Sequence, residues 1–251
     1  MDPASLALAC VGIALGGFLK GATGAGAPVV GVPVLALIFD VPMAVAIFSV
    51  LNLCTNIWQS WTFRNEVTER RFALTFAATG AAGVIVGSVL LATLPVPILM
   101  AALALVVFGY IGLRLARPDW YLSRDRGRKM GATVGFVGGV MQGAGGLSAP
   151  VSVTFLNALN LSRAEFIGTI SVFFLAMSAL QIPTLAALGI LTWDRVILAL
   201  AALVPMFMGI AVGSWSAKFL SKRAFDRVIL TLLAVIASKL IWDAWNSGIL
   251  G

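Results

Sequence analysis

The chain has 251 residues, of which 60% are hydrophobic and only 11% are charged. A soluble domain carries about a quarter charged residues, so this composition excludes a soluble globular protein and indicates an integral membrane protein. The net charge of +7 does not indicate nucleic-acid binding, because the basic residues lie in short loops between apolar segments. We therefore expect membrane lipid around the chain and no nucleic acid as a partner.

The first apolar stretch, at 5–39, is too long for a single membrane-spanning helix. As one helix its roughly 35 residues would extend about 52 Å, whereas the hydrocarbon core of a bilayer is about 30 Å thick. A glycine-rich sequence, GATGAGAP at 21–28, interrupts it. No basic region precedes the stretch, so we expect it to be retained and not cleaved as a signal peptide. We predict a broken helix here.

The rest of the chain divides into two similar halves. Three segments of membrane-spanning length follow the broken stretch, at 43–63, 72–93 and 98–116. The second half has the same order, with a stretch at 130–159 broken by GAGGLSAP at 143–150, then segments at 166–188, 196–217 and 226–245. The predicted organisation is one membrane domain with a first repeat at 1–116, a cytoplasmic linker loop at 117–129 and a second repeat at 130–251.

Short motifs recur in the same order in both halves. The pairs are GFLKG at 17–21 with GFVGG at 135–139, GVPV at 31–34 with SAPV at 148–151, and GVIVGS at 83–88 with GIAVGS at 209–214. Their separations of 118, 117 and 126 residues indicate a duplication and place Gly138 opposite Lys20. The predicted fold class is an all-α polytopic membrane protein made of two repeats, each with a broken or re-entrant helix pair plus three transmembrane helices.

The distribution of basic residues predicts how the repeats are oriented. If both broken stretches are re-entrant, the loops that share one face contain 14 Lys and Arg residues, against Arg195 alone on the other face. If each broken stretch crosses once, the split is 10 against 5. Because cytoplasmic loops are enriched in Lys and Arg, the first arrangement is favoured. It makes the repeats inverted, with both termini outside, an architecture common among secondary transporters.

Lys20 is the residue that most needs explanation, because a charge within a membrane segment is costly and is usually functional. It directly precedes the first glycine-rich break, where freed backbone N–H groups would attract an anion. The alternative is that Lys20 extends to the interface without contacting a ligand. We predict an anion site near the midplane between the two breaks, with the candidate residues Lys20, Gly21, Thr23, Gly24, Gly26, Gln142, Gly143, Gly145, Gly146 and Ser148.

The segment at 43–63 adds a polar face. Ser49, Asn52, Asn56 and Gln59 are spaced so that all four lie on one side of a helix. They either line a substrate cavity or form hydrogen bonds between helices. The chain contains no histidine, and its carboxylates fall mostly in or beside loops, so no catalytic residue, metal site or cofactor is predicted.

The glycine-rich motifs together resemble the sulfite exporter TauE/SafE family, also called the toluene sulfonate uptake permease family. The resemblance rests on GATGAGAPVVGVPVL at 21–35, QGAGGLSAPV at 142–151, PMAVAIFS at 42–49 and GTIS at 168–171. It is supported by the G-x-x-x-G-S motif in each half. Ala25, Ala27 and Pro28 depart from the denser glycine run usual in the family, and Lys20 is not a family motif residue.

The resemblance implies a transporter in the bacterial cytoplasmic membrane that carries a small sulfur-containing anion, such as sulfite, sulfoacetate or another organosulfonate. A carboxylate carrier and a non-transporting membrane subunit remain alternatives. A metal-cation carrier would need buried carboxylate, thiolate or imidazole ligands, and a lone lysine repels cations. The identity of the anion, the direction of transport, the coupling ion and a possible homodimer stay open at this point.

Overall fold

The structure is a computed structural model that describes residues 2–116, 121–216 and 222–247. Within these ranges the backbone forms ten α helices and no strand. In chain order they are α1 (Pro3–Thr23), α2 (Ala27–Ile38), α3 (Val41–Thr62), α4 (Arg70–Thr93), α5 (Val96–Ala116), α6 (Arg124–Gly145), α7 (Ala149–Ala158), α8 (Arg163–Ala187), α9 (Trp193–Ser216) and α10 (Lys222–Asn246). Seven of these are long and apolar enough to cross a membrane. The predicted all-helical, polytopic fold is confirmed.

Local sequence explains where several helices begin. Asp2 accepts hydrogen bonds from the backbone N–H groups of Ala4 and Ser5, which caps α1. The Asp40 carboxylate caps α3 by accepting from the Met43 N–H at 2.6 Å. In each of α1, α2, α3 and α7, one of the first two residues is a proline. A missing backbone N–H costs little at these positions.

The predicted linker loop at 117–129 is shorter than expected. Residues 124–129 already belong to α6, and residues 117–120 lie outside the described part of the chain. The prediction placed the boundary where the charges end, but a helix can extend beyond the hydrocarbon core with charged turns exposed to water. Arg124, Asp125 and Arg128 lie on these turns.

Both broken stretches are helical hairpins. In the first, Gly12 lies against Val34 and Gly16 lies against the backbone of Ala27, so α1 and α2 run antiparallel. The turn uses Gly24 and Gly26, with φ of 85° and 99°, a backbone region that side chains with a Cβ rarely adopt. We call residues 24–26 the first break.

The second stretch folds in the same way. Gly127 lies against Leu159, and Gly138 lies near Ser148 and Ser152, so α6 and α7 also run antiparallel. Gly146 ends α6 with φ of 70°. We call residues 146–148 the second break.

A polar cluster shows which loops share a face. Arg124, at the start of α6, pairs with Glu165 on α8 at 3.2 Å and with Glu69, before α4, at 3.4 Å. Thr68 donates to the Glu165 carboxylate, and Arg128 pairs with Glu69 at 2.8 Å. The loops at 63–69, 121–123 and 159–162 therefore lie together, and we call this the basic face. This grouping is the one expected from re-entrant hairpins.

Glycine contacts between the halves correct the register of the duplication. A Cβ at Gly21 would overlap the Ile210 carbonyl on α9, and a Cβ at Gly143 would overlap the Val84 carbonyl on α4. In the same way, Gly17 lies against Met206 and Gly139 lies against Gly80. Equivalent positions of α1 and α6 are therefore 122 residues apart. The separation of 118 was wrong by one helical turn for these helices. The counterpart of Lys20 is therefore Gln142, and not Gly138.

The same register holds elsewhere. Gly24 contacts Ile167, and Gly146 contacts Val45. Gly146 follows Gly24 by 122 residues, and Ile167 follows Val45 by 122 residues. The equivalent positions of α4 and α9, in contrast, are 126 residues apart. Equivalent helices α3 and α8 pack antiparallel, since Gly24 is near the end of α3 and the start of α8. An inverted duplication requires this arrangement; the orientation of the two repeats in a bilayer stays a prediction.

The orientation can be tested by chemical labelling of introduced cysteines. In a variant with Cys10 and Cys54 replaced by alanine, we expect Pro95→Cys and Asp194→Cys to react with an impermeant maleimide added outside intact cells. Glu66→Cys, on the basic face, should react only after the membrane is permeabilised, because the rule of positive cytoplasmic loops places that face inside. Outside labelling of position 66 would overturn the predicted orientation.

Candidate functional site

Lys20 is buried inside the helix bundle. Its side chain belongs to the last turn of α1, and the residue is only 3% exposed. The Nζ atom donates a hydrogen bond to Oδ1 of Asn56 at 2.8 Å and lies 5.9 Å from the centre of the Phe174 ring. The alternative that Lys20 extends to the membrane interface does not fit this geometry.

The Lys20 ammonium group has no carboxylate partner in the described part of the chain, where the ion pairs involve other residues. An ammonium group has three donors, and the Asn56 oxygen accepts one. One hydrogen bond to a charged group contributes about 1.5–3 kcal/mol, whereas burying a charge without a partner costs several kcal/mol. A bound anion would supply the missing charge and the missing acceptors.

The predicted polar face of α3 is buried, and its hydrogen bonds run partly to other helices and partly within α3. The Gln59 amide donates to the Gly24 carbonyl at 3.0 Å and so ties α3 to the first break. Asn56 donates to the Asn52 carbonyl, and Ser49 donates to the Ala46 carbonyl. Two polar atoms remain without a partner, Nδ2 of Asn52 and Oε1 of Gln59. Structural hydrogen bonding therefore uses part of this face, and the Asn52 amide is left as a buried donor.

The first break offers fewer free amides than its sequence suggests. Pro28 has no N–H, and the Val29 N–H donates back to the Gly26 carbonyl at 3.0 Å. The Thr23 hydroxyl donates to the carbonyls of Leu19 and Ala25 and so stabilises the turn. Positive charge beside this break therefore comes more from side chains such as Lys20 than from freed backbone amides.

The second break is the neutral counterpart of the first. Gln181 donates to the Gln142 carbonyl at 3.3 Å, as its counterpart Gln59 donates to Gly24. The Oε1 atoms of Gln142 and Gln181 are buried without partners. Ser148 is buried and accepts from Ser152, while Gly143 packs against α4 and Gly145 lies near Leu103. No charged side chain replaces Lys20 here.

The structure does not bring the two breaks together. Gly24 lies beside Gln59, whereas Gly146 lies beside Val45, and both neighbours are on α3. Fourteen residues of helix separate these neighbours, which is about 21 Å. The first group of predicted residues therefore gathers around Lys20 towards the basic face, and the second gathers around Gln142 towards the opposite face.

Two cavities flank the first break. One, of about 300 Å³, is lined by Lys20, Gly21, Gly24, Trp58, Gln59 and Arg163, among others. The other, of about 520 Å³, is lined by Thr23, Gly26, Arg114, Asn157, Asn160 and again Arg163, among others. Arg163 donates to the Ala22 carbonyl at 3.2 Å, which leaves its other N–H groups next to both cavities. The larger cavity is called the vestibule below.

Nothing in the sequence pattern singled out Arg163, because in the loop at 160–165 it counted only as one of many cytoplasmic charges. Asn157 and Asn160 were missed as well, since polar residues next to a loop are unremarkable. A comparison of the halves in the correct register would have revealed them, because their counterparts Leu35, Ile38 and Val41 are all apolar.

A protein-family model described as sulfite exporter TauE/SafE matches residues 8–240, nearly the whole chain. The chain belongs to this family. No curated protein and no solved structure shows significant similarity to it. Membership of a transporter family, together with seven helices of membrane-spanning length, makes this TauE/SafE protein a multi-pass membrane protein and suggests that it transports sulfur-containing anions.

The pairing of Lys20 with Asn56 generates a prediction. We expect Asn56→Asp to weaken binding of sulfite to the purified protein by at least about tenfold, because a carboxylate beside Nζ supplies the acceptor and charge that an anion would otherwise supply. The same variant should have a higher melting temperature than the unmodified protein. Isothermal titration calorimetry and thermal unfolding provide the two measurements.

Asn65→Asp is the matched control, since Asn65 is exposed in the loop at 63–69 and the substitution adds the same charge. We expect it to change neither sulfite binding nor the melting temperature. Unchanged sulfite binding in Asn56→Asp would show that Lys20 does not contact the anion.

Proposed function

We propose that this protein is a secondary transporter that moves a small sulfur-containing anion, sulfite or an organosulfonate such as sulfoacetate, across the bacterial cytoplasmic membrane. The observation that carries the proposal is the buried Lys20 ammonium group beside a helix break, with one amide oxygen as its hydrogen-bond acceptor. The family match supplies the class of substrate.

The charges around the first break favour an anion over a cation. Lys20 and Arg163 both line the smaller cavity, and no carboxylate is among the residues described as lining it. Groups of three or more metal-ligating residues are absent from the described part of the chain. Oxyanions are bound in proteins by ammonium, guanidinium and amide N–H groups, and Lys20, Arg163 and the unpartnered Asn52 amide are of these kinds.

The site proposed at first between two facing breaks is revised to one site at the first break. Lys20, Asn52, Asn56 and Gln59 surround it from α1 and α3, and Phe174 covers it from α8. Helices from both repeats thus contribute to the site. A rocking motion of one group of helices against another would change which face of the membrane reaches Lys20, as in other transporters built from repeats.

Close glycine contacts indicate which helices would stay together during such a motion. The contacts between α1 and α9, and between α4 and α6, are made by glycines that allow the backbones to touch. These pairs each join the hairpin of one repeat to a helix of the other. We therefore propose that α1 with α9, and α4 with α6, move as units while α3 and α8 rearrange at the axis between them.

Replacement of the charge tests the proposed site. In reconstituted vesicles we expect Lys20→Met to reduce uptake of radiolabelled sulfite by about tenfold to a hundredfold, which corresponds to the loss of one charge-assisted hydrogen bond. Taurine-derived sulfonates, sulfate and small carboxylates, assayed with and without a pH gradient, form the substrate panel. Preference for a carboxylate would move the assignment to another small anion.

Lys239→Met is the control, because Lys239 is more than half exposed on α10 and pairs with Asp243 one turn away. It removes the same charge and should leave uptake unchanged. Equal amounts of both variants in the membrane exclude a folding defect. Uptake by Lys20→Met at the unmodified rate would contradict the proposal.

A further inference from the structure

The vestibule is the most polar cavity beside the first break. Its lining includes two guanidinium groups, Arg114 and Arg163, and two amides, Asn157 and Asn160. No carboxylate is among the residues described as lining it. Asn160 lies in the loop between α7 and α8, and Arg163 is the first residue of α8. The vestibule therefore opens near the basic face.

The duplication provides an internal comparison for this cavity. Asn157, Asn160 and Arg163 correspond to Leu35, Ile38 and Val41 at a separation of 122 residues. Arg114 corresponds to Leu240, since α5 and α10 begin 126 residues apart. The equivalent region near the second break is therefore lined by apolar residues.

These apolar counterparts are packed in the hydrophobic core. Leu35, Val41 and Leu240 are fully buried, and Ile38 packs against the same cluster. Two homologous regions thus differ in the same way at four positions, with polar or basic residues beside the first break and core residues beside the second. The first break has a polar cavity beside it, whereas the equivalent residues beside the second break form packed core. Random surface variation would not produce this difference, so it indicates a function for the polar cavity.

Arg163 connects the vestibule to the Lys20 site. It lines both cavities. Its hydrogen bond to the Ala22 carbonyl holds it against the last turn of α1, and Ala22 follows Lys20 by two residues. A guanidinium group has five donors and this bond uses one, so others face the cavities. Arg163 is thus a cation common to the linings of both cavities.

We propose that the vestibule is a second anion-binding site, in which Arg163 holds a sulfonate or sulfite ion on the basic face before the ion reaches Lys20. This inference rests on the proposed function and adds a site to it. The positive cavity also concentrates anions near the transport path, an effect that falls with ionic strength. Around the second break the four described counterparts are packed in the core, so this conformation favours access of anions from the basic face.

Cysteine reactivity tests the vestibule without requiring transport. In purified protein with Cys10 and Cys54 replaced by alanine, Asn157→Cys is treated with a methanethiosulfonate that carries a sulfonate and with one that carries a trimethylammonium group. Each rate is divided by that reagent's rate with a free thiol. We expect the anionic reagent to react faster, and Arg163→Gln to reduce the ratio of anionic to cationic rates by about tenfold.

Two controls accompany this measurement. Arg71→Gln removes a charge from an exposed position at the basic face that does not line the vestibule, and it should leave the ratio unchanged. Leu35→Cys, at the counterpart of Asn157, should react with neither reagent at a comparable rate. If the Asn157 variant is not monodisperse in gel filtration, Asn160→Cys replaces it.

The outcomes separate the vestibule from the transport function. A ratio that Arg163→Gln does not change, or a Leu35→Cys that reacts as fast as Asn157→Cys, would overturn the second site. In vesicles we expect Arg163→Gln to raise the half-saturating sulfite concentration several-fold at low salt. Arg163→Lys, which keeps the charge, should have a half-saturating concentration close to that of the unmodified protein. A changed reactivity ratio in a protein that transports no panel anion would retain the vestibule and refute the proposed function.

Discussion

The structure depends on an ammonium group buried in a membrane protein with an amide oxygen, and not a carboxylate, as its hydrogen-bond partner. Asn56 lies where a carboxylate would neutralise Lys20 permanently. Asparagine instead holds the side chain in position and leaves the charge available. In a membrane this arrangement is costly, because a charge inside the bundle destabilises the folded protein by several kcal/mol unless something compensates it. Under the proposed function, an anionic substrate would provide that compensation only while it is bound, which is the property a carrier site needs.

The duplication allows the buried charge to be compared with an uncharged equivalent, because the end of α6 corresponds to the end of α1 and has no lysine. Gln142 occupies the place of Lys20, and each equivalent glutamine, Gln59 or Gln181, donates to a carbonyl at the end of the equivalent helix. The second repeat therefore preserves the scaffold of the break while its polar atoms stay neutral. The scaffold accounts for Gly17, Gly21 and Gly24, which recur as Gly139, Gly143 and Gly146. Under the proposed function, anion transport would account for the residues that differ. Lys20 and Arg163 belong to the second class.

Much of this organisation follows from the sequence alone. Span lengths and the positions of Lys and Arg predicted the helices, the hairpins and the grouping of the loops. The register failed for a physical reason: glycines recur every four residues along α6, at 131, 135, 139 and 143, so motif matching is unchanged by a slip of one helical turn. Only contacts with α4 and α9 distinguish the alternatives. The level of each break was also misjudged, because α1 has 21 residues and its last turn therefore lies near the far end of a span.

The two asymmetries, Lys20 against Gln142 and the vestibule against the packed core around Leu35, have a common consequence. If the repeats were identical in sequence, the conformation open to one face and the two-fold-related conformation open to the other would have equal energies. Polar residues at Asn157, Asn160 and Arg163 stabilise an open cavity at the basic face, whereas Leu35 and Val41 favour closure at the opposite face. The unliganded protein should therefore rest with its site open towards the basic face. An anion bound by Lys20 and Arg163 would neutralise charge that disfavours closing this cavity, so substrate binding itself would reduce the energy difference between the two conformations.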